Sequence, residues 1–326
     1  MTNRNLEKTR KQKFHRVLSL VKIILVLSIL FPIPMQASAG ICEDDRYAEC
    51  RGQRDINYLV KDVDDFERPY SYIIGKTKFW YIEIAGVLAI LGAIGFGVFH
   101  GFGRYIAAKR FPVKLEKEKS VFIYKFVIRV GHWINAFSVI ALIVSGFVMH
   151  FVGPTHFWGQ MHNGAGIVFV ICWILFFGYE VASFDYKQFL IDDWELREGI
   201  FKQVLFYAIG IFKQEEHPYH MEVTARLNPL QKLAYFGVMF FLVPLVGFTG
   251  MMLISPDLMS PIVNFIGLEN MKYVFIFHLC GAFGMVAYLF GHIYLGTTGD
   301  KVLQHYKVIF TGYHDVYKHE TKKVEG

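Results

Sequence analysis

An apolar segment that contains two histidines constrains the fold of this chain more than any other feature. The segment from Tyr273 to Leu295 is apolar or aromatic except for His278 and His292, which are fourteen residues apart. Fourteen residues of α-helix return a side chain to within about 40° of the same face and raise it by roughly 21 Å. A helix of this length spans a bilayer, so one histidine should lie near each side of the membrane.

Ionisable residues inside a membrane span are costly and usually functional, and neutral imidazole is a common axial ligand of haem iron. The spacing therefore favours two haems, stacked across the membrane, that each take one ligand from this helix. The alternative is that the two histidines make ordinary polar contacts between helices.

The composition is that of an integral membrane protein. Of 326 residues, 54% are hydrophobic and 17% aromatic, and the mean hydropathy is +0.34, which is too apolar for a soluble domain. The net charge of +6 comes largely from basic residues beside apolar segments, as membrane topology requires. The four cysteines form no C-x-x-C, C-x-x-C-H or four-cysteine cluster. This argues against c-type haem, iron–sulfur clusters and structural zinc in this chain.

The N-terminus resembles a secretory signal. Residues 1–39 combine a basic start, a short apolar core and an A-x-A cleavage motif at 37–39, as signal peptides do. The alternative is an uncleaved anchor helix. After cleavage, residues 40–78 would form a periplasmic N-terminal segment, in which an oxidising environment would permit a disulfide between Cys42 and Cys50.

Five apolar runs follow, at about 79–99, 126–151, 161–182, 233–254 and 271–297. We expect an all-α integral membrane protein, in which residues 124–299 form a four-helix transmembrane bundle. An additional N-terminal transmembrane helix at 79–103 precedes it, followed by a cytoplasmic linker at 104–123. Basic residues are numerous in this linker and in the polar 300–326 tail, and they also occur in the 183–231 loop, which carries both signs of charge. They predict that all three segments lie in the cytoplasm. The mature N-terminus is then periplasmic and the C-terminus cytoplasmic, in a bacterial inner membrane.

Glycines in the first span predict close helix packing; they are Gly86, Gly92, Gly95 and Gly97.

The predicted topology sorts four histidines into two levels. His162 and His278 fall near the outer face, and His132 and His292 near the inner face. Two histidines at each level are what two bis-histidine haems need. His150, eighteen residues after His132, is an alternative outer ligand that we rank as interfacial. Glycines beside the ligands would let a flat macrocycle approach the helices; they are Gly131, Gly164, Gly166, Gly281, Gly284 and Gly291.

Three further histidines are assigned to the surface. His100, at the inner end of the first span, is predicted to be interfacial. His217 and His220 form an H-x-x-H pair beside two glutamates, which is compatible with a metal site, although we favour a solvated loop. The apolar stretch 201–212 should lie on the membrane surface or pack against the bundle.

Several motifs resemble those of the cytochrome b (gamma) subunit of membrane-bound, quinone-reducing formate dehydrogenases. The resemblance covers about residues 124–299, which contain four of the five spans. The matching motifs are R-V-G-H-W at 129–133, M-H at 161–162 with glycines two and four residues after the histidine, N-P-L-Q-K at 228–232, and the fourteen-residue histidine spacing.

The resemblance implies two haem b groups and their ligand pairing. The first and last of the four histidines, His132 and His292, would hold the inner haem iron. The middle two, His162 and His278, would hold the outer haem iron. No catalytic residue is implied in this chain itself.

The resemblance also implies a quinone site and partner subunits. Asn228 and Gln231, at the start of the fourth span, would lie near menaquinone or ubiquinone by the inner haem. A periplasmic molybdenum or tungsten (alpha) subunit would oxidise formate, and an iron–sulfur (beta) subunit would pass electrons to the outer haem. They would then cross to the inner haem and reduce quinone, with protons taken from the cytoplasm. The role of this chain would be electron transfer, as the quinone-reducing subunit of an oxidoreductase.

Three alternatives remain open from the sequence. The related cytochrome b of a membrane-bound hydrogenase or thiosulfate reductase would carry similar haems and a different soluble partner. A haem-free transporter would use intramembrane histidines for proton relay, and it predicts acidic residues at the midplane and internal repeats. A passive membrane anchor would not need four histidines at matched depths.

Overall fold

The computed structural model describes residues 80–152, 155–223, 225–255, 258–267 and 270–319. The predicted signal peptide, the segment 40–78 and the Cys42 and Cys50 pair lie outside the described residues. Within them, five helices are long and apolar enough to cross a membrane, which confirms the five predicted spans.

The first three spans are single helices. They are α1 (Trp80–Arg110), α2 (Phe126–Phe151) and α3 (His156–Ser183). Helix α1 continues past the predicted end of its span, so the region predicted as a linker begins inside the helix. Helix α3 begins five residues before the predicted span because Thr155 caps it, with the side-chain oxygen accepting a hydrogen bond from the Trp158 backbone N–H.

The fourth span is one helical segment with an internal irregularity. It consists of α5 (Pro229–Gly237), a π-helical turn (Val238–Leu242) and α6 (Val243–Ile254). In the turn, the Val243 backbone N–H bonds to the Val238 carbonyl. Pro244 follows immediately and would clash with the carbonyl four residues earlier in a regular helix. The extra residue of the π turn relieves that clash.

The fifth span is α8 (Met271–Leu295), which carries His278 and His292. Shorter helices lie between and after the spans. They are a 3₁₀ turn (Asp185–Phe189), a π turn (Glu195–Gly199), α4 (Ile200–Ala208), a 3₁₀ turn (Gly210–Phe212), α7 (Ser260–Ile266) and α9 (Gln304–Thr311). Helix α4 buries Gln203 and Phe206, so the apolar stretch at 201–212 packs against protein on one face.

A two-stranded sheet was not predicted. Strand β1 (Leu115–Phe122) lies in the predicted linker, and β2 (Tyr313–His319) lies in the predicted tail. They pair antiparallel, with Phe122 opposite Tyr313 and an irregularity between Lys117 and Lys119. The all-α prediction therefore holds for the membrane helices, and the polar segments outside them add one small sheet.

The chain divides into two compact units, which are described separately. The first comprises Trp133–Tyr186 and Gly247–Ile276. Its core joins α6, α7 and the start of α8 through buried apolar side chains, namely Met252, Leu253, Val263, Met271 and Val274. The second comprises Tyr81–His132, Lys187–Val246 and the chain from Phe277 onward, and it contains the sheet.

In the second unit, α1 packs closely against α8 at two glycines. A Cβ at Gly86 would overlap the ring of Phe283, and one at Gly97 would lie 3.4 Å from Tyr294. A Cβ at Gly92 or Gly95 would meet nothing within 4 Å. The predicted close packing is therefore confirmed for Gly86 and Gly97 and wrong for the other two, which face open space.

Candidate functional site

Two of the predicted ligands lie together in the second unit. His132 is in the second turn of α2, and His292 is in the last turn of α8. Their ring centroids are 6.2 Å apart, with 40° between the ring planes. Both side chains are half-buried. The His292 ring also stacks on Tyr288, one turn earlier, at 5.7 Å and 26°, which restricts its orientation.

This geometry fits two imidazoles on opposite sides of one iron atom. Imidazole nitrogens lie about 2 Å from a bound metal, so the ring centroids of two opposed ligands should be on the order of 6 Å apart. The glycines beside the two histidines give a second indication. A Cβ at Gly131 or at Gly291 would meet nothing within 4 Å, so no neighbouring side chain fills the space at either glycine. The residues therefore fit a haem held between α2 and α8.

His162 is positioned by α2 within the first unit. The Ser145 hydroxyl is fully buried and lies 3.0 Å from Nδ1 of His162. That hydroxyl donates to the Ala141 carbonyl at 2.6 Å, so it is free to accept a bond from the imidazole. We therefore assign the proton of His162 to Nδ1, which leaves the Nε2 lone pair available for a metal.

A glycine makes room for this histidine. A Cβ at Gly146 would lie 3.2 Å from Cε1 of His162, closer than side chains normally approach. Neither Ser145 nor Gly146 was predicted from the sequence to act at this site. A Ser-Gly pair in the middle of an apolar span was the signal that could have indicated them.

His278 lies in the second unit and His162 in the first, so the predicted pairing of these two histidines stays a prediction. The glycines near His278 serve helix packing. A Cβ at Gly281 would lie 2.5 Å from Val246, and one at Gly284 would lie 3.4 Å from Leu242. The expectation that these two make room for a macrocycle is therefore wrong, because side chains of the fourth span already fill that space.

His150, the alternative ligand, lies in the last turn of α2. Its ring contacts two aromatic rings of the first unit, Phe151 at 4.7 Å and Phe275 at 6.4 Å between centroids. These contacts agree with an aromatic environment near the end of a span.

The N-P-L-Q-K motif forms the N-terminus of α5. Asn228 Oδ1 accepts a bond from the Gln231 backbone N–H at 2.8 Å, and Gln231 Oε1 accepts one from the Asn228 backbone N–H at 3.0 Å. This is a capping box, with Pro229 in the first turn. Both side-chain oxygens are therefore committed to the helix end. The Asn228 amide Nδ2 donates to the Tyr207 hydroxyl at 3.4 Å.

A buried ion pair supports the same helix start. Lys232 Nζ lies 2.6 and 2.7 Å from the two carboxylate oxygens of Glu195. Each residue is only 9% exposed. The Glu195 carboxylate also accepts a bond from the Asp192 backbone N–H. The sequence did not predict this buried pair.

Tyr207 is the centre of a polar network that the sequence did not reveal. Its hydroxyl interacts with Asn228, Thr298 and Gln203, and Arg104 lies near enough to act on it electrostatically. Burial nevertheless raises the pKa of Tyr207 above its usual value, because desolvation outweighs these contacts. The hydroxyl is therefore protonated at neutral pH.

The additional helix α1 contributes to this network. His100 Nε2 lies 2.8 Å from the Tyr207 carbonyl, and its Nδ1 contacts the Tyr294 hydroxyl. Arg104 donates to the carbonyl and hydroxyl of Thr297 at 3.0 and 3.2 Å. The His100 ring is therefore packed within the second unit, and its position at the membrane interface stays a prediction.

The H-x-x-H pair divides between two environments. His220 is exposed and lies 3.5 Å from Glu216, as a solvated loop predicts. His217 is half-buried against the Phe206 ring, at 4.6 Å between centroids. Burial lowers the pKa of His217 to about 4, so the solvated-loop prediction is wrong for this residue. Among the described residues, no group of three or more His, Cys, Asp or Glu could hold a metal ion.

Membrane-length helices and a pair of imidazoles 6.2 Å apart are features of a membrane cytochrome b. Residues 123–312 match the family model described as "Prokaryotic cytochrome b561". The chain is also 30% identical, over 244 residues, to "Putative cytochrome YdhU" of Escherichia coli (strain K12), which covers 73% of this chain and 90% of that protein. The chain therefore belongs to the prokaryotic cytochrome b561 family, whose members are integral membrane helical bundles that bind haem b. No solved structure matches it significantly. Helix α1 precedes the matched region.

Proposed function

We propose that this chain is a dihaem cytochrome b subunit that carries electrons across the inner membrane to quinone. His132 and His292 would hold the inner haem iron, and His162 and His278 the outer one. The observation that carries the proposal is the 6.2 Å separation of the His132 and His292 rings. A Cβ at the adjacent glycines, Gly131 and Gly291, would meet nothing within 4 Å.

Bound haem supplies one-electron chemistry, and its potential depends on axial ligands, burial and hydrogen bonding. The residues of this chain orient the ligands and exclude water. Ser145 fixes the tautomer of His162, and Tyr288 restricts His292. The membrane potential is positive outside, so an electron that moves inward moves against it and stores about 2.3 kcal/mol of free energy per 100 mV. This storage is one reason for a cytochrome b to place its two haems at opposite sides of the membrane.

The partner proposed first is a formate dehydrogenase, with its iron–sulfur (beta) and molybdenum or tungsten (alpha) subunits. The support is the set of four motifs between residues 129 and 292 that resemble its gamma subunit. Quinone would bind near Asn228, whose amide lies in the Tyr207 network. The mature N-terminus would be periplasmic and the C-terminus cytoplasmic.

A hydrogenase cytochrome b is the second candidate. The short name of the matched family model refers to nickel hydrogenase, which supports this reading of the soluble partner. The two candidates share the haem assignment and differ in the electron donor.

The first experiment measures haem. A dithionite-reduced minus oxidised spectrum, with a pyridine haemochrome assay, should give two haems b per chain. His292→Ala and His162→Ala should each lose one haem, and the two remaining spectra should differ. His156→Ala, an exposed histidine at the start of α3, is the control and should keep both. A folded preparation without haem would contradict the proposal and favour the transporter or anchor.

A second experiment identifies the donor. Membranes containing the chain and its native partners are given formate or hydrogen in turn, and haem reduction is followed spectroscopically. In a third sample, thiosulfate is added to membranes whose haem is already reduced, and haem oxidation is followed. Reduction by formate alone supports the first candidate, and reduction by hydrogen alone replaces it with the second.

A further inference from the structure

Four histidines and one aspartate of the second unit lie within electrostatic range of His217 and His314 or are one of that pair. This histidine cluster consists of His217, His220, His305 and His314, with Asp300. The His305 and His314 rings stack at 6.1 Å with 17° between their planes. His217 and His314 each interact electrostatically with His305, with His220 and with Asp300.

The cluster runs from the surface to the interior. His220 is exposed, His217 and His305 are half-buried, and His314 is 4% exposed. The elements that carry it, which are the 183–231 loop, α9 and β2, belong to segments that the sequence assigns to the cytoplasmic side. Water therefore reaches one end of the cluster.

The inner end continues into the Tyr207 network. Nε2 of His217 lies 3.4 Å from Nε2 of Gln203, which is fully buried. Gln203 interacts with the Tyr207 hydroxyl, and that hydroxyl accepts a bond from Asn228. A sequence of polar groups thus connects the surface histidine to the residue at which we place the quinone.

Two buried atoms along this route indicate bound water. Oε1 of Gln203 and Nδ1 of His314 are buried and find no hydrogen-bond partner among the described residues. Buried polar atoms are costly unless paired, and internal water is their usual partner. A water bound at Gln203 would carry the proton past this residue. The Gln203 amide itself would orient the groups around it and would not transfer the proton.

The charge state suits proton transfer. Burial lowers the pKa of His305, and it lowers those of His217 and His314 to about 4. The three imidazoles are therefore neutral at pH 7, and each can accept a proton at one nitrogen while donating at the other. The charged or titratable groups that face them are His220, Asp300, Asp315, Arg104 and Tyr207.

We propose that the histidine cluster, continued through Gln203 and Tyr207, delivers protons from water to the quinone site at Asn228. This inference rests on the proposed quinone-reducing function. Reduction of one quinone to quinol takes two electrons, supplied singly by haem b, and two protons, which enter from water at His220. The cluster residues are regenerated after each transfer.

The test follows reoxidation of dithionite-reduced haem by a soluble quinone analogue, by stopped flow, in the full chain. His217→Gln and His305→Gln should keep both haems and the parent spectrum. Reoxidation should slow on the order of tenfold or more at pH 8 and less at pH 6, with a larger solvent isotope effect. Added imidazole should restore the rate. His156→Gln is the matched control and should behave as the parent.

Deuterium exchange at the imidazole C2 positions, measured by mass spectrometry, gives a readout independent of turnover. His217, His305 and His314 should exchange, because water reaches them, and His217→Gln should slow exchange at His305. If His217, His305 and His314 show no deuterium exchange, the proposed proton relay is wrong.

The outcomes separate the two proposals. Normal quinone reduction and an unchanged pH profile in both variants would overturn the relay and leave the proposed function intact. A parent that binds haem and does not reduce quinone would overturn both. Should His217→Gln lose haem, His305→Gln with the same imidazole rescue decides the question.

Discussion

The two regions that hold predicted ligands differ in their surroundings. In the first unit, His162 lies among apolar helices and is oriented by the Ser145 hydroxyl and by a backbone hydrogen bond with Leu142. In the second unit, His132 and His292 belong to the same compact body as the buried Tyr207 network and the histidine cluster. An electron needs only a fixed ligand in a dry environment, whereas a proton needs a chain of polar groups. Under the proposed function, we therefore expect proton transfer in the second unit.

The largest effect is expected from removing a ligand of the second unit. His132→Ala should abolish one haem and all quinone reduction, because electrons could no longer reach the site. His162→Ala should leave the inner haem reducible by dithionite and still reoxidised by quinone. Haem stoichiometry and stopped-flow reoxidation check both expectations. Equal loss of quinone reoxidation in the two variants would remove the functional distinction between the units.

The buried ion pair of the second unit should come next. Lys232→Met leaves the Glu195 carboxylate buried and unpaired, which typically costs about 3–5 kcal/mol. Lys202→Met breaks an exposed pair with Glu198 and should cost about 0–1 kcal/mol. Thermal unfolding in detergent compares the two, and comparable losses would show that the Lys232 pair is solvated.

A smaller effect is expected at the first unit. Ser145→Ala removes the hydroxyl beside His162 and should weaken haem affinity about 10- to 100-fold, as loss of an outer-shell partner commonly does. Haem titration of the apoprotein measures it. Ser138→Ala, another buried serine of α2, is the control. If Ser138→Ala weakens haem binding as much, the orienting role of Ser145 is wrong.

The smallest effect concerns the sheet of the second unit. The Asp315 carboxylate accepts bonds from Lys117 at 2.8 Å, Lys307 at 2.5 Å and Ser120, which hold the pKa of Asp315 well below its usual value. Because folding lowers the pKa of Asp315, these contacts stabilise the folded protein at every pH above the pKa that Asp315 has in the unfolded chain. The stabilisation is lost as the pH falls through the lower pKa that Asp315 has in the folded protein. Asp315→Asn should cost about 1 kcal/mol at pH 7.

Thermal unfolding at pH 7 and in acid measures the Asp315 effect. The difference between Asp315→Asn and the parent should shrink in acid. A difference that does not change with pH would show that the carboxylate charge is not involved.

The sequence predicted the membrane helices well because hydrophobic runs and basic flanks act locally. It located the ends of helices less well. Thr155 and Asn228 extend α3 and the fourth span, since a capping hydrogen bond depends on single polar residues rather than on hydropathy. It also placed His132 and His292 correctly as neighbours, because helical periodicity fixes depth and face.

The contacts that join distant segments escaped the sequence analysis. Lys232 and Glu195 are 37 residues apart, and His100 and Tyr294 are 194 apart. Nothing in a local pattern distinguishes a buried lysine from the basic residues of a loop. The same limit applies to His217. The H-x-x-H motif predicts a solvated residue, whereas in the structure the His217 ring packs against the Phe206 ring.

The sequence by itself determined that five helices are long and apolar enough to cross a membrane, and it predicts that four histidines lie at two depths within them. Those properties follow from side-chain hydrophobicity and from the 3.6-residue period, which every residue carries with it. Only the tertiary structure decided which glycines leave open space, which hydroxyl orients His162, and which polar side chains are withdrawn from water beside Tyr207. These depend on the approach of segments far apart in the chain, and burial then sets whether a histidine is charged or neutral.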